Sequence, residues 1–305
     1  MNNILITFPS WEERSGSSIE STIKKQNIKT VLMVQYNDPS FGIEIDNTQN
    51  KIQKLCTTLN IECKTIQIER SDVSAISVLG KRLSDLDVNS DIFLDITTMP
   101  RNIIWLILSY LRQNFKKIKI AYATPKEYAT EWVSKDPSTP LLTLNHSGII
   151  SPKKPTAIMI LSGYDLDRIS QTIQHYEPAH VIFGIQSGSQ FDNNIRNNFD
   201  IFKAKAKRKC SFFYLDVLRS PYGTEEIKTE IRKSLKNYNI IATSVGPKMG
   251  AVSLYCASLI YPQIGLFYIP SKEYNLNYSK GMKEIIYRDI SFFNNNDSPL
   301  SPKLR

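Results

Sequence analysis

The chain has 305 residues, of which 41% are hydrophobic and 22% charged, values that are ordinary for a soluble globular protein. No apolar run reaches the roughly 18–20 residues that a membrane-spanning helix needs, so we expect no such helix and no membrane partner. An excess of 38 basic over 29 acidic residues gives a net charge of +9, which favours an anionic partner, either a nucleic acid or a phosphate-bearing small molecule.

The N-terminus and the cysteines predict where the protein works. M-N-N-I-L-I-T-F lacks the basic start of a signal peptide and is typical of a first strand. The four cysteines show no C-x-x-C spacing, and the three histidines match no metal-binding pattern. We therefore expect a cytoplasmic protein with reduced cysteines, no metal site and no cofactor.

The densest basic segment is K-A-K-A-K-R-K, Lys203 to Lys209, with five cations in seven residues. The simpler interpretation is a solvated face beside a strand. Binding of a nucleic acid is the alternative, although the sequence carries no known nucleic-acid signature.

Apolar segments with the character of strands recur along the chain, separated by segments compatible with helices. The first half contains five of them: Asn3–Phe8, Thr30–Tyr36, Lys64–Ile68, Asp91–Ile96 and Lys117–Tyr122. The second half contains five more: Ala157–Leu161, His180–Ile185, Ser211–Val217, Asn239–Thr243 and Ile264–Ile269. This alternation predicts an α/β protein with parallel sheets covered by helices on both faces.

The two halves repeat each other. V-L-M-V-Q-Y-N-D from Val31 falls on V-I-F-G-I-Q-S-G from Val181, and T-T-M-P-R falls on S-V-G-P-K with Pro100 over Pro247. A third match joins T-P-K-E-Y to P-S-K-E-Y, in the same order and at a similar offset. Shared strand propensity does not explain the matched proline, cation and K-E-Y. We therefore predict two Rossmann-like domains related by internal duplication.

The predicted domains cover residues 1–150 and 151–293, because Gly, Ser and Pro punctuate the segment Ser147–Pro155 between them. Residues 294–305 are polar and proline-bearing, and we expect a disordered tail. Two similar domains in one chain are expected to face each other as a pseudo-dimer.

In open α/β sheets, ligands bind beyond the carboxyl ends of the strands, so polar residues at those points are the site candidates. The loop after the first strand, F-P-S-W-E-E-R-S, carries Ser10, Glu12 and Arg14. Arg14 could hold a phosphate and Glu12 could act in acid–base chemistry. Equally, Ser10 could cap a helix whose dipole the two glutamates complement.

After the fourth strand, T-T-M-P-R offers Thr97 and Thr98 as phosphate donors and Arg101 as an anion-binding cation at a helix N-terminus. Pro100 suits the first turn of that helix. Asp95 is expected to stabilise the turn, with a catalytic carboxylate as the alternative. Met99 and Trp105 are expected in the core, because the helix that follows is apolar nearly all round.

The counterpart loop of the second half is T-S-V-G-P-K-M-G. Ser244 offers a hydroxyl, Gly246 and Gly250 allow close approach of the backbone, and Lys248 supplies the charge. The loop lacks the spacing of a Walker A motif, and no G-x-G-x-x-G follows the first strand, so an ordinary P-loop ATPase or NAD enzyme is disfavoured.

Two further loops complete the candidate site. Ser187, after the second strand of the second half, could bind a ribose or a base edge. Lys272 and Tyr274 belong to the repeated K-E-Y triplet and could reach a ligand, with the tyrosine stacking on a base. A surface hairpin explains the triplet equally well.

The pattern of a strand, a polar residue, two hydroxyls, a cation and an apolar helix resembles the CRISPR-associated Rossmann domains, known as CARF domains. T-T-M-P-R before I-I-W-L is similar to the I-T-T-G-T stretch before the tryptophan-rich helix of the CARF-like sensors in RNA-repair regulators. S-V-G-P-K is similar to the family's T-G-G-T-[KR] loop. Two fused units also resemble the SAVED sensors of antiphage systems.

This resemblance implies a nucleotide ligand, such as a cyclic oligonucleotide or an RNA-end derivative, held at the strand ends between the two halves. It assigns phosphate contacts to five residues: Thr97, Thr98, Arg101, Ser244 and Lys248. T-T-M-P-R lacks the family's glycines, so the first site is expected to be altered or lost. Such sensors usually control an effector, and none is evident in this sequence, so a separate effector protein is implied unless the pair performs chemistry itself.

Three functions remain open from the sequence. The first is a nucleotide sensor of a bacterial defence or stress system. The second is a nucleotide-processing enzyme, such as a ring nuclease or phosphodiesterase, with Glu12 or Asp95 as base and with Arg101 and Lys248 stabilising developing charge. The third is a protein–protein interaction subunit that kept the scaffold and lost its site.

Overall fold

The computed structural model describes residues 2–37, 42–70, 72–128, 132–188 and 199–292, with backbone only for residues 42–44, 72 and 199. The predicted tail, residues 294–305, lies outside these ranges. The chain divides into two compact units, of which the first comprises Met1–Lys126 with Lys280–Arg305 and the second comprises Glu127–Ser279.

The first unit is built from alternating strands and helices, joined by one strand from near the end of the chain. Its elements are β1 (Asn3–Thr7), α1 (Glu13–Lys25), β2 (Thr30–Tyr36), α2 (Gly42–Thr58), β3 (Glu62–Ile68), α3 (Asp72–Ser84), β4 (Asp91–Asp95), α4 (Arg101–Asn114), β5 (Lys117–Tyr128) and β14 (Ser279–Ser291). The last two residues of β5 and the first residue of β14 count with the second unit.

The second unit has the same alternation, with three short additional strands. Its elements are β6 (Ser134–Pro137), β7 (Leu141–Leu142), β8 (Thr156–Leu161), α5 (Leu166–Tyr176), β9 (His180–Gln186), α6 (Phe199–Ala206), β10 (Cys210–Leu215), α7 (Thr224–Ser234), β11 (Asn239–Ser244), α8 (Lys248–Ile260), β12 (Gly265–Tyr268) and β13 (Ser271–Tyr274).

Both units contain a parallel sheet with the same strand order. The first sheet runs β14-β5-β4-β1-β2-β3, and the second runs β10-β9-β8-β11-β12-β7. The pairs among β1 to β5 are parallel, as are those among β8 to β12. Each unit thus has the order 3-2-1-4-5 in its own strands, which confirms the predicted Rossmann-like α/β fold. The shared order supports an internal duplication, which stays a prediction.

The unit boundaries differ from the single boundary near residue 150 that the sequence suggests. Residues 127–150 belong to the second unit, where β7 pairs antiparallel with β12. Residues 280–292 belong to the first unit, where β14 extends the sheet beside β5. The chain therefore passes from one unit to the other twice.

Helices cover both faces of each sheet, which explains the near-continuous apolar character of the inner strands. In the first unit, α1 contacts α2 and α3 contacts α4; in the second, α5 contacts α6 and α7 contacts α8. One core of the first unit joins Leu5 and Val31 of the sheet to Ile19 of α1 and Ile52 of α2. Its equivalent in the second unit joins strands β8 and β9 to α5 and α6.

The fourth helix of each unit begins directly after a proline. Pro100 has φ −59° and ψ 145°, and Pro247 has φ −55° and ψ 141°, so both are extended residues immediately before the helix. The sequence predicts Pro100 inside the first turn of the helix, whereas the structure has it one residue before the helix begins. Met99 and Trp105 are fully buried, as predicted. The matched proline–cation pairs therefore occupy the same backbone position in the two units.

Lowering the pH should destabilise the second unit through His180. Burial lowers the pKa of this imidazole, assisted by the charge of Lys209, and the ring bonds Ser211 Oγ at 2.8 Å. Because the unfolded histidine, with a pKa of about 6.5, binds a proton more readily, stability is lost as the pH falls below that value. Urea unfolding between neutral and mildly acidic pH should show a smaller loss for His180→Gln than for wild type.

The exposed His175 provides the matched control. His175→Gln should follow the wild-type dependence on pH, and a His180→Gln profile that coincides with wild type would contradict the assignment.

Candidate functional site at the strand ends

Each sheet has one place where neighbouring loops diverge. The strand order reverses between β1 and β4 in the first unit, and between β8 and β11 in the second. Chains leaving such neighbouring strands cross to helices on opposite faces, which opens a crevice at the carboxyl ends of the strands. Most of the predicted site residues follow the strands at these two points, and the exceptions are Ser187, Lys272 and Tyr274.

In the first unit, side-chain hydroxyl groups join the two loops. Thr98 donates a hydrogen bond of 2.6 Å to the carbonyl oxygen of Phe8, and its Oγ1 lies 3.2 Å from Ser15 Oγ. Ser15 Oγ in turn accepts the backbone N–H of Ser10 at 3.2 Å. Thr98, predicted as a phosphate donor, is thus engaged within the unit.

Thr97 and Asp95 hold the turn itself. Asp95 Oδ1 accepts the backbone N–H of Thr97 at 2.8 Å, as expected of a turn-stabilising carboxylate. The Thr97 hydroxyl accepts the N–H of Ala123 at 2.9 Å and donates to Ser18 Oγ at 3.2 Å. Both residues are buried, so Asp95, the alternative catalytic base, does not reach solvent. Arg101, the first residue of α4, is half-buried.

Glu12 and Arg14 form a buried ion pair at the start of α1. Arg14 Nε lies 2.7 Å from Glu12 Oε2, and both side chains are at least 96% buried. The guanidinium also donates to the carbonyl oxygen of Ala123 at 2.8 Å and lies 5.8 Å from the ring centre of Tyr122. Glu12 precedes the first helical residue, so Ser10 is not the N-cap. The pair ties α1 to β5.

In the second unit, the two loops meet backbone to backbone. A Cβ atom added to Gly163 would lie 2.3 Å from the carbonyl oxygen of Val245, and one on Gly246 would lie 2.1 Å from that of Ser162. No larger residue fits at either position without movement of the backbone. The second unit thus joins its two loops by close backbone contact at glycines, where the first unit joins them by hydrogen bonds of hydroxyl groups.

A small polar cluster surrounds the start of α8. Ser244 Oγ is buried and has no hydrogen-bond partner among the residues that the structure describes. It lies 3.0 Å from the Cβ position of Gly250, in the first turn of α8. Lys248 is the first residue of this helix and is half-buried. Gln186 Nε2 lies 3.5 Å from the Cβ position of Gly246.

Four of the predicted residues of the second unit follow β9 or lie around the end of β11, and the other two lie on β13. Ser244, Gly246 and Lys248 lie together in the loop and first helical residue after β11. Ser187 follows the buried Gln186 and is itself half-buried. These residues form the candidate site.

The remaining predicted residues, Lys272 and Tyr274, lie on the two-stranded sheet of β6 and β13. Lys272 is exposed and ion-pairs with Asp136 at 2.9 Å, and the hydrogen bond between them raises the pKa of the ammonium group. The Tyr274 ring lies 5.6 Å from the Arg168 guanidinium. These contacts belong to a separate cluster at the start of α5.

Sequence reasoning missed that cluster. Asp165 is the N-cap of α5, accepts the hydroxyl of Ser134 and lies 3.1 Å from Arg168 Nε. Arg168 also donates to Ser271 Oγ at 2.9 Å. The only local signal is an aspartate three residues before an arginine at a helix start. Both units thus place a carboxylate at the N-cap of their first helix and pair it with an arginine in the first turn, near a tyrosine ring.

The basic segment predicted at Lys203–Lys209 lies at the end of α6 and in the turn before β10. All five of its cations are exposed, and Arg208 lies 3.7 Å from Glu177 Oε1. This arrangement agrees with a solvated face beside a strand. No group of three or more His, Cys, Asp or Glu residues suited to a metal ion occurs in the described ranges.

Comparison with protein-family models and with curated proteins finds no match. Among solved structures, the chain is similar to a type III CRISPR defence DNA nuclease activated by cyclic oligoadenylate, with a TM-score of 0.56 and 7% identity. The match covers 84% of this chain and 64% of that chain, so this chain spans less than two thirds of the nuclease.

A second match, isoflavone reductase, has a TM-score of only 0.29 at 9% identity, covering 85% of this chain and 88% of that chain. The likeness to the nuclease shows a shared fold, and it agrees with the CARF-like resemblance of the sequence. No helix of the described residues has the length and apolar character needed to cross a membrane.

Removing one charge of the buried ion pair should destabilise the first unit. Arg14→Met leaves Glu12 charged and buried beside an apolar side chain, which should cost about 3–5 kcal/mol in urea unfolding. The double variant Glu12→Met/Arg14→Met leaves no buried charge and should recover part of this loss. A single variant within about 1 kcal/mol of wild type would contradict the structural role.

The contact between the two loops of the second unit can be tested with one methyl group. Gly246→Ala should lower the free energy of unfolding by about 1–3 kcal/mol, because the methyl overlaps the carbonyl oxygen of Ser162. Gly16→Ala is the control: its Cβ would lie 3.9 Å from the nearest atom, Thr48 Cγ2, and alanine in a helix gains up to about 1 kcal/mol. Equal stability of the two variants would contradict the close approach.

Proposed function

We propose that this protein is a nucleotide sensor that binds a phosphate-bearing nucleotide at the strand ends of its second unit and controls a separate effector protein. The observation that carries the proposal is the loop after β11. There, a glycine in backbone contact, a buried serine hydroxyl and a lysine occur together at the start of a buried helix.

The chemistry of this loop suits a phosphate group. An anion at the N-terminus of a helix is favoured by the helix dipole, and α8 begins at this loop. Lys248 adds a full positive charge at the first helical position. Gly246 has no side chain to hold a ligand away from the backbone, and the Ser244 hydroxyl is a further donor.

The first unit is less suited to the same ligand. Its Thr97 and Thr98 hydroxyls are donated to Ser18 and to the carbonyl oxygen of Phe8. T-T-M-P-R also lacks the glycine that S-V-G-P-K has. A ligand in this loop would have to break bonds that join β1, β4 and β5. We therefore assign the ligand to the second unit.

Two observations support an adenine nucleotide as the ligand. The similar structure belongs to a nuclease activated by cyclic oligoadenylate, and the sequence resembles CARF-like sensors. A cyclic oligonucleotide repeats its phosphates at regular intervals, so one phosphate can occupy the loop after β11 while the rest of the ring contacts other residues. We propose a cyclic oligoadenylate or a related adenine nucleotide.

Binding without turnover fits the positions of the carboxylates considered as bases. Glu12 is paired with Arg14, and Asp95 holds the turn that precedes α4. Both are buried, and a general base must come within hydrogen-bond distance of the proton it removes. We therefore favour a sensor over a ring nuclease.

The test is thermal unfolding of the full chain with cyclic oligoadenylates of several ring sizes, linear oligoadenylate and AMP. A ligand at about 100 times its dissociation constant adds about 2.7 kcal/mol to the free energy of unfolding and raises the melting temperature. Lys248→Ala should weaken binding by about tenfold to a hundredfold, as expected for loss of a charge-assisted hydrogen bond worth about 1.5–3 kcal/mol.

Lys272→Ala is the matched control, because it removes the same charge from an exposed residue paired with Asp136. Its affinity should equal that of wild type. An equal loss in both variants would reflect overall charge and contradict the assigned site. Chromatography of the ligand after incubation completes the test, since cleavage would support a nucleotide-processing enzyme instead.

A further inference from the structure

Two of the four cysteines lie on neighbouring elements of the first unit, α2 and β3. Cys56 is in the last turn of α2 and is fully buried, whereas Cys63 is the second residue of β3 and is partly exposed. Both are free thiols. The proposed ligand site lies in the second unit, so neither cysteine has a part in it.

Contacts on both sides of the two cysteines fix how α2 faces β3. Gln49 of α2 donates a side-chain hydrogen bond to Thr65 Oγ1 of β3 at 3.3 Å. The backbone N–H of Ile61 donates to the carbonyl oxygen of Cys56 at 2.8 Å. Gln49 and Cys56 are two helical turns apart on one face of α2, and Cys63 and Thr65 share one face of β3. Cys63 therefore lies between the two contacts, opposite the helix face that carries Cys56.

The two thiol groups meet at this interface. Cys63 packs against the core cluster that contains Cys56, and the two thiols hydrogen-bond to each other. This bond lowers the pKa of the Cys63 thiol. The same bond, together with burial, raises the pKa of the Cys56 thiol. The more accessible sulfur is thus the more readily ionised one, and the thiolate is the form that reacts with oxidants.

We propose that Cys56 and Cys63 form a reversible oxidation site, at which hydrogen peroxide converts the two thiols to a disulfide between α2 and β3. Cysteines that respond to oxidants are typically accessible, readily ionised and next to a second cysteine that completes the disulfide. Cys63 has the first two properties, and Cys56 is the second cysteine.

The reaction has two steps. The Cys63 sulfur attacks one peroxide oxygen, the O–O bond breaks, and the departing hydroxide takes the thiol proton to become water. Cys63 is then a sulfenic acid. The Cys56 sulfur attacks the Cys63 sulfur, an S–S bond forms, and the S–O bond breaks. The second hydroxide leaves with the Cys56 proton as water. Two thiols are oxidised by two electrons, and one peroxide is reduced to two waters.

Peroxide treatment of the full folded chain, then alkylation, trypsin digestion and mass spectrometry, tests the proposal. Cleavage after Lys54 and Lys64 gives one peptide, residues 55–64, that contains both cysteines. In wild type this peptide should escape alkylation and be lighter by two hydrogen atoms, and dithiothreitol should restore both thiols. In urea the reaction should be at least about tenfold slower, because unfolding removes the hydrogen bond that favours the Cys63 thiolate. Equal rates would show that the fold has no part in the reaction and would overturn the proposal.

Three variants identify the sulfur that reacts first. Cys63→Ser should form no disulfide, and its melting temperature should stay at the wild-type value because the position is partly exposed. Cys56→Ser keeps a hydrogen-bond donor beside Cys63, so oxidation should stop at the sulfenic acid, which dimedone traps. Cys210→Ser is the matched control, since Cys210 is also partly exposed but lies in the second unit. It should form the disulfide at the wild-type rate.

Two results with wild type and Cys63→Ser alone would overturn the proposal, whether or not the core variant Cys56→Ser folds. The first is a wild-type peptide in which both cysteines remain open to alkylation after peroxide treatment. The second is oxidation of Cys63 to the sulfinic acid without a disulfide, because Cys56 would then lie out of reach of the sulfenic acid.

Discussion

The reversal of strand order between the first and fourth strands is the constraint on which both units depend. Two loops diverge there, and each unit must connect them without burying unpaired polar groups. The first unit uses hydroxyls, with Thr98 bonded to the Phe8 carbonyl oxygen. The second brings backbone against backbone at Gly163 and Gly246. Hydroxyl groups that join two loops already donate hydrogen bonds within the protein, so they are not available to an anion. Contact through glycines uses no side-chain donor. One fold thus yields one pair of loops joined by hydroxyl groups and one joined by close backbone contact.

A second shared device fixes where the first helix starts. Glu12 with Arg14, and Asp165 with Arg168, are carboxylate–arginine pairs that are almost completely buried. Burying such charges is favourable only when hydrogen bonds also satisfy the polar atoms that the ion pair itself does not engage. Both arginines make a further hydrogen bond of this kind. Each pair is consequently an anchor between a helix start and a distant strand. An arginine beside a strand-end loop is therefore not by itself evidence for a phosphate site.

The central strands could be predicted from the sequence because parallel strands are covered on both faces and are apolar through most of their length. T-T-M-P-R and S-V-G-P-K could be matched because a proline and a cation mark the same backbone position. Two of the outer strands, β14 and β7, could not be predicted. β14 carries several charged residues, as sheet edges often do, and β7 has only two residues. The contacts of Asp165 and Arg168 were equally hidden, because Ser134 and Ser271 come from strands far away in sequence.

The late position of β14 also sets the order in which the chain is completed during synthesis. The parallel strands of the first unit are made first, but the strand that covers β5 is made only after the whole second unit. At translation rates of about 5–20 residues per second, β5 waits on the order of ten seconds for its neighbour. During that interval the first sheet has an open edge on the ribosome. Shielding by a chaperone, or by the ribosome surface, would be most valuable at this stage.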